Sequence, residues 1–266
     1  AGSDLAGLQT RAEDKGDHYL VNGSKIWTSG AQYADRCYCL VRTDTSKKHE
    51  GISFLLIDMK APGVEVRPIL LINGTSPFCE TFFTDVKVPK DQLFGPLNGG
   101  WTIAKRLLQH ERDGIGASLG AGNIGGAVTV PTVIEAAKTN VGLDDSGRLA
   151  DPDLRRRVTE HLMENRAFML TVRRQQDDAR AGNGTSNLAA AIKYAGAKIA
   201  QDRNELVLEG LGHQGLGWAG EGFSEGELAA VRSMLRSKAN SIEGGSSEIN
   251  LNVVSKRVLG LPDPKS

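Results

Sequence analysis

The sequence has few cysteines, no excess of charge of either sign and no long apolar run. Its formal net charge at pH 7 is zero, because 32 basic residues balance 32 acidic ones, and this balance favours neither nucleic acid nor an anionic membrane as a partner. No apolar run approaches the ~20 residues that cross a bilayer, and no signal peptide is recognisable. These absences favour a cytoplasmic protein.

The three cysteines form no metal-binding pattern. Cys37 and Cys39 lie two residues apart and Cys79 is distant from both, with no CxxC motif and no nearby set of Cys and His. A metal site is therefore not expected. The low, odd number of cysteines fits a reducing compartment.

The hydrophobic pattern indicates two domains that meet near residue 97. Up to that point, short runs rich in β-branched and aromatic residues, such as "RCYCLVRTD" and "GISFLLIDM", alternate with polar or Gly/Pro stretches. No helical stretch separates them, so residues 1–97 predict an antiparallel β-barrel or sandwich rather than a βαβ domain. Within "HYLVNGSKIW", Asn22-Gly23 is a strong hairpin signal.

Residues 98–266 predict an antiparallel four-helix bundle. Asp151 and Pro152 mark one helix start as an N-cap and a first-turn proline. Ser224 and Glu227 form a capping-box pattern. The last helix is expected to begin near Ser246 or Ser247. The fold class is thus α+β, with a β domain followed by a helical one.

Two stretches in these domains allow both a structural and a functional interpretation. In "KIWTSG", Trp27 is either a core aromatic or a platform for a planar ring, and strand alternation places Ser29 on the same face. The glycine-rich "GLGHQGLGWAG" follows a predicted helix rather than a strand, so it does not fit a dinucleotide-binding loop. The alternative is a flexible turn between helices.

A third stretch, "LLQHERDGIG", places His110, Glu111 and Arg112 on the first helix of the bundle. Neighbouring Glu and Arg residues are typical of a solvated helix face. The glycines and alanines around them would also let a ligand approach closely.

Taken together, these motifs resemble the acyl-CoA dehydrogenases, flavoenzymes that oxidise acyl-CoA thioesters to 2-enoyl-CoA. The resemblance runs from "AGSDLAGLQTRAE" through "YLVNGSKIWTSGA" and "FTDVKVPKDQLFG" to "EGGSSEINLNVVSKRVLGLP". It implies a middle β domain and a C-terminal four-helix bundle. It also implies that the family's N-terminal helical domain, which walls the acyl pocket, is absent, so residues 1–266 alone are expected to show little turnover.

The resemblance implies FAD as the cofactor, an acyl-CoA substrate and electron-transfer flavoprotein as the electron acceptor. It assigns cofactor-binding roles to Gly2, Ser3, Trp27, Ser29, Gly212, Gly215, Ser246 and Glu248. Of these, Gly212 and Gly215 match a turn that in the family contacts the FAD of a neighbouring subunit. A homo- or hetero-oligomer, such as a dimer of dimers, is therefore expected.

The catalytic base has two candidates. Many family members carry it in "YEGTSEIQ"; here the text is "IEGGSSEIN", and an ungapped alignment places Gly244 at the base position. Other branches carry the base in an "ER" pair on the first bundle helix, which here is Glu111-Arg112. We predict Glu111 as the base and Arg112 as a substrate-binding residue. Glu243 stays the rival, since a one-residue bulge would bring it into place.

Two departures from the family pattern point to an unusual oligomer. The family's "RxxFG" motif is missing from "AKTNVGLDDSGRLADP", and Glu209 and His213 replace the residues typical of the glycine turn. These changes resemble an actinobacterial branch with bulky sterol side-chain substrates and heterotetramers. The alternative functions are a non-catalytic or half-site partner subunit and a nitroalkane or hydroxylating flavoenzyme. The last would be indicated by Asp at the base position, where none is evident.

Overall fold

The computed structural model describes residue 2 and residues 4–108, 129–183 and 188–262. The chain divides into two compact units, residues 1–109 and 110–266. The predicted domain boundary lies earlier, between residues 97 and 98. The difference is helix α1, described over residues 100–108. The start of this helix packs against the β unit, because a Cβ on Gly100 would lie 2.6 Å from the carbonyl carbon of Ser53.

The first unit contains one six-stranded sheet. Its strands are β1 (Arg11–Asp14), β2 (His18–Ser29), β3 (Arg36–Arg42), β4 (Ile52–Asp58), β5 (Val64–Ile69) and β6 (Phe78–Pro89), in the order β4-β3-β1-β2-β6-β5. All neighbours pair antiparallel except β1 and β3, which pair parallel at Arg11 and Arg42. One sheet face buries a core of alternating residues that includes Val21, Val41 and Leu55.

The prediction of a hairpin at Asn22-Gly23 is wrong. Strand β2 continues through both residues, with a register shift against β6 between Val21 and Gly23, and the turn lies before it, between β1 and β2. Gly23 is required instead by a close approach, since a Cβ there would lie 2.8 Å from Cα of Thr10. The Asn22 side chain serves the sheet by donating to Asp85 Oδ1 (2.9 Å) and accepting from the Asp85 amide (2.9 Å).

The second unit is helical, as predicted. It contains α2 (Val133–Asn140), α3 (Pro152–Arg180), α4 (Leu188–Leu211), α5 (Glu225–Ser237) and α6 (Ser247–Val253), which continues as a π-helix over Val254–Val258. Helix α4 lies at the centre and packs against α2, α3, α5 and α6. Two apolar clusters join its side chains to other helices, one shared with α2, α3 and α5 and one shared with α3 alone.

The helix starts follow their capping signals. The Asp151 carboxylate accepts from the amides of Asp153 (2.8 Å) and Leu154 (2.9 Å), and Ser224 and Glu227 cap each other reciprocally, so both predicted starts are confirmed. A further capping box, of Thr132 and Glu135, begins α2. Its T-x-x-E pattern is equally visible in the sequence and separates α2 from the preceding apolar stretch.

Candidate functional site

In the β unit, Trp27 occupies a β-bulge in a strained conformation. Lys25 pairs with Thr81 and Thr28 with Cys79, so Ile26 and Trp27 together oppose a single residue of β6. Trp27 has φ +64°, which is an outlier for a bulky residue. The residue is 55% exposed, and its ring meets that of Phe78 edge-on, with ring centroids 6.2 Å apart. Bulges near functional sites re-aim side chains in this way.

The two hydroxyl residues after Trp27 point to different surroundings. The Thr28 hydroxyl donates to the carbonyl of Cys79 and lies 2.8 Å from the hydroxyl of Thr81, so it is used within the sheet. Ser29 is exposed like Trp27, and its hydroxyl bonds no protein group among the described residues. An exposed aromatic residue and an exposed hydroxyl residue therefore lie at the same strand end.

Near the start of the chain, one arginine fixes two loops. Arg42 donates from Nη2 to the carbonyl of Ala6 (2.6 Å) and from Nη1 to those of Lys47 (2.9 Å) and Lys48 (2.7 Å). Arg42 therefore anchors the loop that follows the predicted cofactor residues Gly2 and Ser3. Gly2 has φ +55°, whereas Ser3 lies outside the described residues.

In the helical unit, the glycine-rich stretch forms a 3₁₀ turn, Gly212–Leu216, directly after α4. Gly212 is exposed with φ +56°. Gly215 is buried, and a Cβ there would lie 2.6 Å from the carbonyl oxygen of Leu208. The glycines therefore let the chain reverse tightly against the end of α4, which agrees with an interhelical turn. His213 is exposed at this turn.

Glu209, one of the departures from the family pattern, is held by an ion pair between helices. Its carboxylate accepts from Arg157 Nη1 at 2.6 Å, which links α4 to α3. The loop that lacks the family's "RxxFG" motif is organised around Asp144, which pairs with Arg148 and Arg155. Hydrogen bonds, first from the Ser146 hydroxyl and then from the Arg148 amide, lower the Asp144 pKa to about 2.

The stretch "SIEGGSSEIN" forms a tight turn between α5 and α6. Glu243 accepts two hydrogen bonds from Arg236, at 3.1 and 2.7 Å. Gly244 and Gly245 have φ +63° and +91°. Because Gly244 is left-handed, an L side chain at the aligned base position would be strained.

Ser246 and Glu248 lie at the start of α6. Ser246 is the N-cap, and its hydroxyl oxygen accepts from the Ile249 amide at 3.4 Å. Glu248 is exposed, and hydrogen bonds from its own backbone amide and from the Ser246 hydroxyl lower its pKa. Its carboxylate is thus anionic at neutral pH. The predicted base Glu111 and the predicted substrate residue Arg112 lie outside the described residues.

One polar residue beside this turn was missed by sequence reasoning. Lys193 of α4 is fully buried, and it bonds the turn between α5 and α6. Its sequence signal is a lone lysine among small and apolar residues in "AAAIKYAG". Fully buried lysines are rare unless their charge is matched by partners.

The residues of each unit fit a planar, phosphate-bearing cofactor such as FAD. The exposed Trp27 and Ser29 side chains suit a flat heteroaromatic ring with a hydrogen-bond acceptor. Gly212 is exposed in its turn, and Ser246 is the N-cap of α6. Among the described residues, no cluster of His, Cys, Asp and Glu could hold a metal ion. None of the described helices could cross a membrane.

Comparison with known proteins gives the family. Residues 1–86 match the model for the acyl-CoA dehydrogenase middle domain, and residues 98–259 match that for the acyl-CoA dehydrogenase C-terminal domain. The acyl-CoA dehydrogenase IpdE1 of Mycobacterium tuberculosis is 35% identical over 98% of this chain and 64% of its own length. The chain therefore belongs to the acyl-CoA dehydrogenase family, which uses FAD.

Solved structures share the fold. A steroid acyl-CoA dehydrogenase named Tcur3481-Tcur3483 superposes with a TM-score of 0.83 and 29% identity, over 99% of this chain and 66% of that one. The ChsE4-ChsE5 complex of M. tuberculosis gives a TM-score of 0.79 and 28% identity, over 99% and 67%. The chain spans slightly less than two thirds of the length of IpdE1.

Proposed function

We propose that the protein dehydrogenates an acyl-CoA thioester to the 2-enoyl-CoA. The observation that carries this proposal is the strained, exposed Trp27 followed by the exposed Ser29 at the same strand end, in a chain of this family. A bulky residue in a left-handed bulge costs stability, and such strain persists where function needs the side chain in place. FAD, when bound, supplies the acceptor for the hydride that leaves the β carbon.

The protein's own residues bind and orient the cofactor and the substrate. Trp27 covers a flavin ring, and Ser29 donates a hydrogen bond to it. Gly2 and the start of α6 are the proposed contacts for the rest of the cofactor, since a helix N-terminus suits phosphate. Gly212 is the proposed contact with the FAD of a neighbouring subunit. Ser3, Gly215, Ser246 and Glu248 complete these segments.

Glu111 is the proposed base that takes the proton α to the thioester carbonyl. Support comes from Glu243, the other candidate base, because both of its carboxylate oxygens bind Arg236. A catalytic base must first lie within hydrogen-bonding distance of the proton that it removes. Glu243 would have to break its pair with Arg236 to move there. Arg112, next in sequence, is the proposed substrate contact. The α C–H is a very weak acid, so the thioester oxygen needs hydrogen-bond donors as charge develops on it.

The proposed substrate is bulky and polycyclic, and the proposed assembly is a hetero-oligomer. Support comes from the steroid and two-chain names of the similar structures. It also comes from Glu209, a departure from the family's glycine turn, whose carboxylate pairs with Arg157. Electron-transfer flavoprotein is the proposed electron acceptor. A second candidate, a partner subunit without its own reaction, is favoured by the same departures at the glycine turn.

The test is product analysis with the protein encoded by the full gene, purified with and without any co-expressed sister chain. Straight-chain and steroid-derived acyl-CoA thioesters are incubated with an artificial electron acceptor, and products are identified by mass. The expected product has two hydrogens fewer than its substrate and forms fastest from the polycyclic thioester. Turnover that appears only when the sister chain carries all the flavin would favour the partner-subunit alternative.

A further inference from the structure

Lys193 ties together the two ends of the turn between α5 and α6. Its Nζ donates to the carbonyl oxygens of Asn240 (2.8 Å) and Gly245 (2.7 Å), and its side chain is 0% exposed. A buried ammonium group is tolerated only when its hydrogen bonds are matched. Residues 241–244 are thus closed into a loop by one side chain of the central helix.

Asn250 of α6 adds two further hydrogen bonds to this turn, and Lys193 and Asn250 together are called the clamp. Its Nδ2 donates to the carbonyls of Gly245 (2.8 Å) and Ser246 (2.9 Å), and the residue is 2% exposed. The Gly245 carbonyl therefore receives donors from both Lys193 and Asn250. A Cβ on Gly245 would lie 3.3 Å from the Asn250 Nδ2, so the glycine allows this close approach.

The clamp fixes the conformation of the Gly244-Gly245 turn, which the glycine backbone alone does not determine. Gly244 and Gly245 both have positive φ, and glycine has more accessible backbone conformations than any other residue. Fixing the Gly245 carbonyl sets the direction in which the chain leaves the turn and the start of α6, whose N-cap is Ser246. It also keeps Glu243 beside Arg236, 2.7 Å from it.

The charges near Lys193 support this arrangement. Burial lowers the pKa of Lys193, and the carboxylates of Glu243 and Glu248 partly offset that effect. Both carboxylates belong to the segment that the clamp orders. The lysine is therefore coupled to the turn by electrostatics as well as by its two hydrogen bonds.

We infer that Lys193, assisted by Asn250, is a positioning residue for the dehydrogenation, which it serves by holding residues 241–248 in the one arrangement that suits cofactor and thioester. This inference rests on the proposed function. It assigns Lys193 no contact with the reacting atoms.

The test compares Lys193→Met with Lys198→Met in the protein encoded by the full gene. Methionine keeps the length of the side chain and removes its donors, and Lys198 is an exposed lysine on the same helix. Asn250→Leu is the second variant, because it removes donors while Lys193 stays. Three quantities are measured: amide hydrogen exchange over residues 241–248, flavin affinity, and kcat and KM for the preferred thioester.

For Lys193→Met we expect faster exchange at residues 241–248 and a fall in kcat of about 10- to 100-fold per bound flavin, as for misplaced catalytic groups. Asn250→Leu should show the same changes to a smaller degree, and Lys198→Met should match the wild type. Wild-type exchange in this segment, or wild-type kcat per bound flavin in both clamp variants, would overturn the inference. A wild-type protein that dehydrogenates no thioester would instead overturn the proposed function, and hydrogen exchange would still show whether the clamp orders the turn.

Discussion

Arg236 binds both carboxylate oxygens of Glu243, seven residues further along the chain, at 3.1 and 2.7 Å. Both side chains are partly buried, which strengthens a paired charge relative to one in open water. The pair joins the last turn of α5 to the turn that follows it. Glu243 therefore has a structural role in this fold, and a second role as a base would require the pair to break.

The first prediction concerns the stability that this ion pair provides. A double-mutant cycle of Arg236→Ala and Glu243→Ala should give a coupling energy of about 0.5–1 kcal/mol, at the upper end for pairs open to solvent. Urea unfolding of the four proteins measures it, and the cycle cancels the other contacts of Arg236. Strictly additive effects would show that the pair does not stabilise the turn.

The second prediction concerns the strain at Trp27. Glycine adopts φ +64° without steric strain, so Trp27→Gly should retain or gain stability, by up to about 1–2 kcal/mol from relieved strain. The same variant should bind FAD much more weakly, because the indole is lost. Thermal melting and fluorescence titration with FAD measure the two effects. Trp27→Phe is the matched control, since it keeps both the strain and an aromatic ring. Equal FAD affinity in the Gly and Phe variants would contradict the proposed role.

The third prediction separates the two glycines of the turn after α4. Gly215→Ala should cost about 1–3 kcal/mol, because its Cβ would lie 2.6 Å from the Leu208 carbonyl oxygen within a packed interior. Gly212→Ala should lower the free energy of unfolding by less, about 1 kcal/mol. Its added methyl group lies in open space, so only the left-handed backbone is strained. Chemical denaturation of both variants measures the difference. A larger loss at Gly212 would indicate that the turn packs differently.

The fourth prediction concerns pH and the buried His161 of α3. Burial lowers the pKa of His161, and the charge of Arg203 lowers it further; Lys198 also lowers it, while Asp202 and Glu164 raise it. The folded pKa lies below the unfolded value of about 6.5, so the unfolded chain binds a proton first as the pH falls. The contribution of His161 to stability is therefore complete above that value and is lost below it, down to the folded pKa.

His161→Phe provides the measurement for this pH effect. The unfolding free energy of the wild type should fall relative to the variant as the pH drops below about 6.5, since only the wild type has this histidine to protonate. Denaturant titrations across that range measure the difference. A constant difference between the two proteins would show that His161 titrates normally in the fold.

Local signals in the sequence predicted much of the helical unit. Asp151-Pro152 and the pair Ser224 and Glu227 satisfy amides within their own first turns, so their effect does not depend on tertiary structure. The hairpin prediction at Asn22-Gly23 failed because both residues make tertiary contacts within the sheet. Gly23 packs closely against Thr10, and the Asn22 side chain accepts from the Asp85 amide. Turn propensity describes only the local chain, and here a tertiary contact outweighs it.

The features that define the candidate site depend on distant partners. The bulge at Trp27 exists only in register with β6, and no pattern within β2 reveals which residue is the extra one. The Lys193 clamp joins residues about 50 positions apart in the sequence. Family resemblance predicted cofactor-binding roles for the Trp27 and Ser246 segments, but it gave no indication that Arg236 binds Glu243.

The measurement that tests the central claim most directly is flavin reduction under anaerobic conditions. Acyl-CoA thioester is added to the wild type, Glu111→Gln and Glu243→Gln, each made in the protein encoded by the full gene, and the flavin spectrum is followed. We predict bleaching in the wild type and in Glu243→Gln, and none in Glu111→Gln. Bleaching that is lost only in Glu243→Gln would contradict the account, since it would place the base in the turn that Arg236 and Lys193 hold.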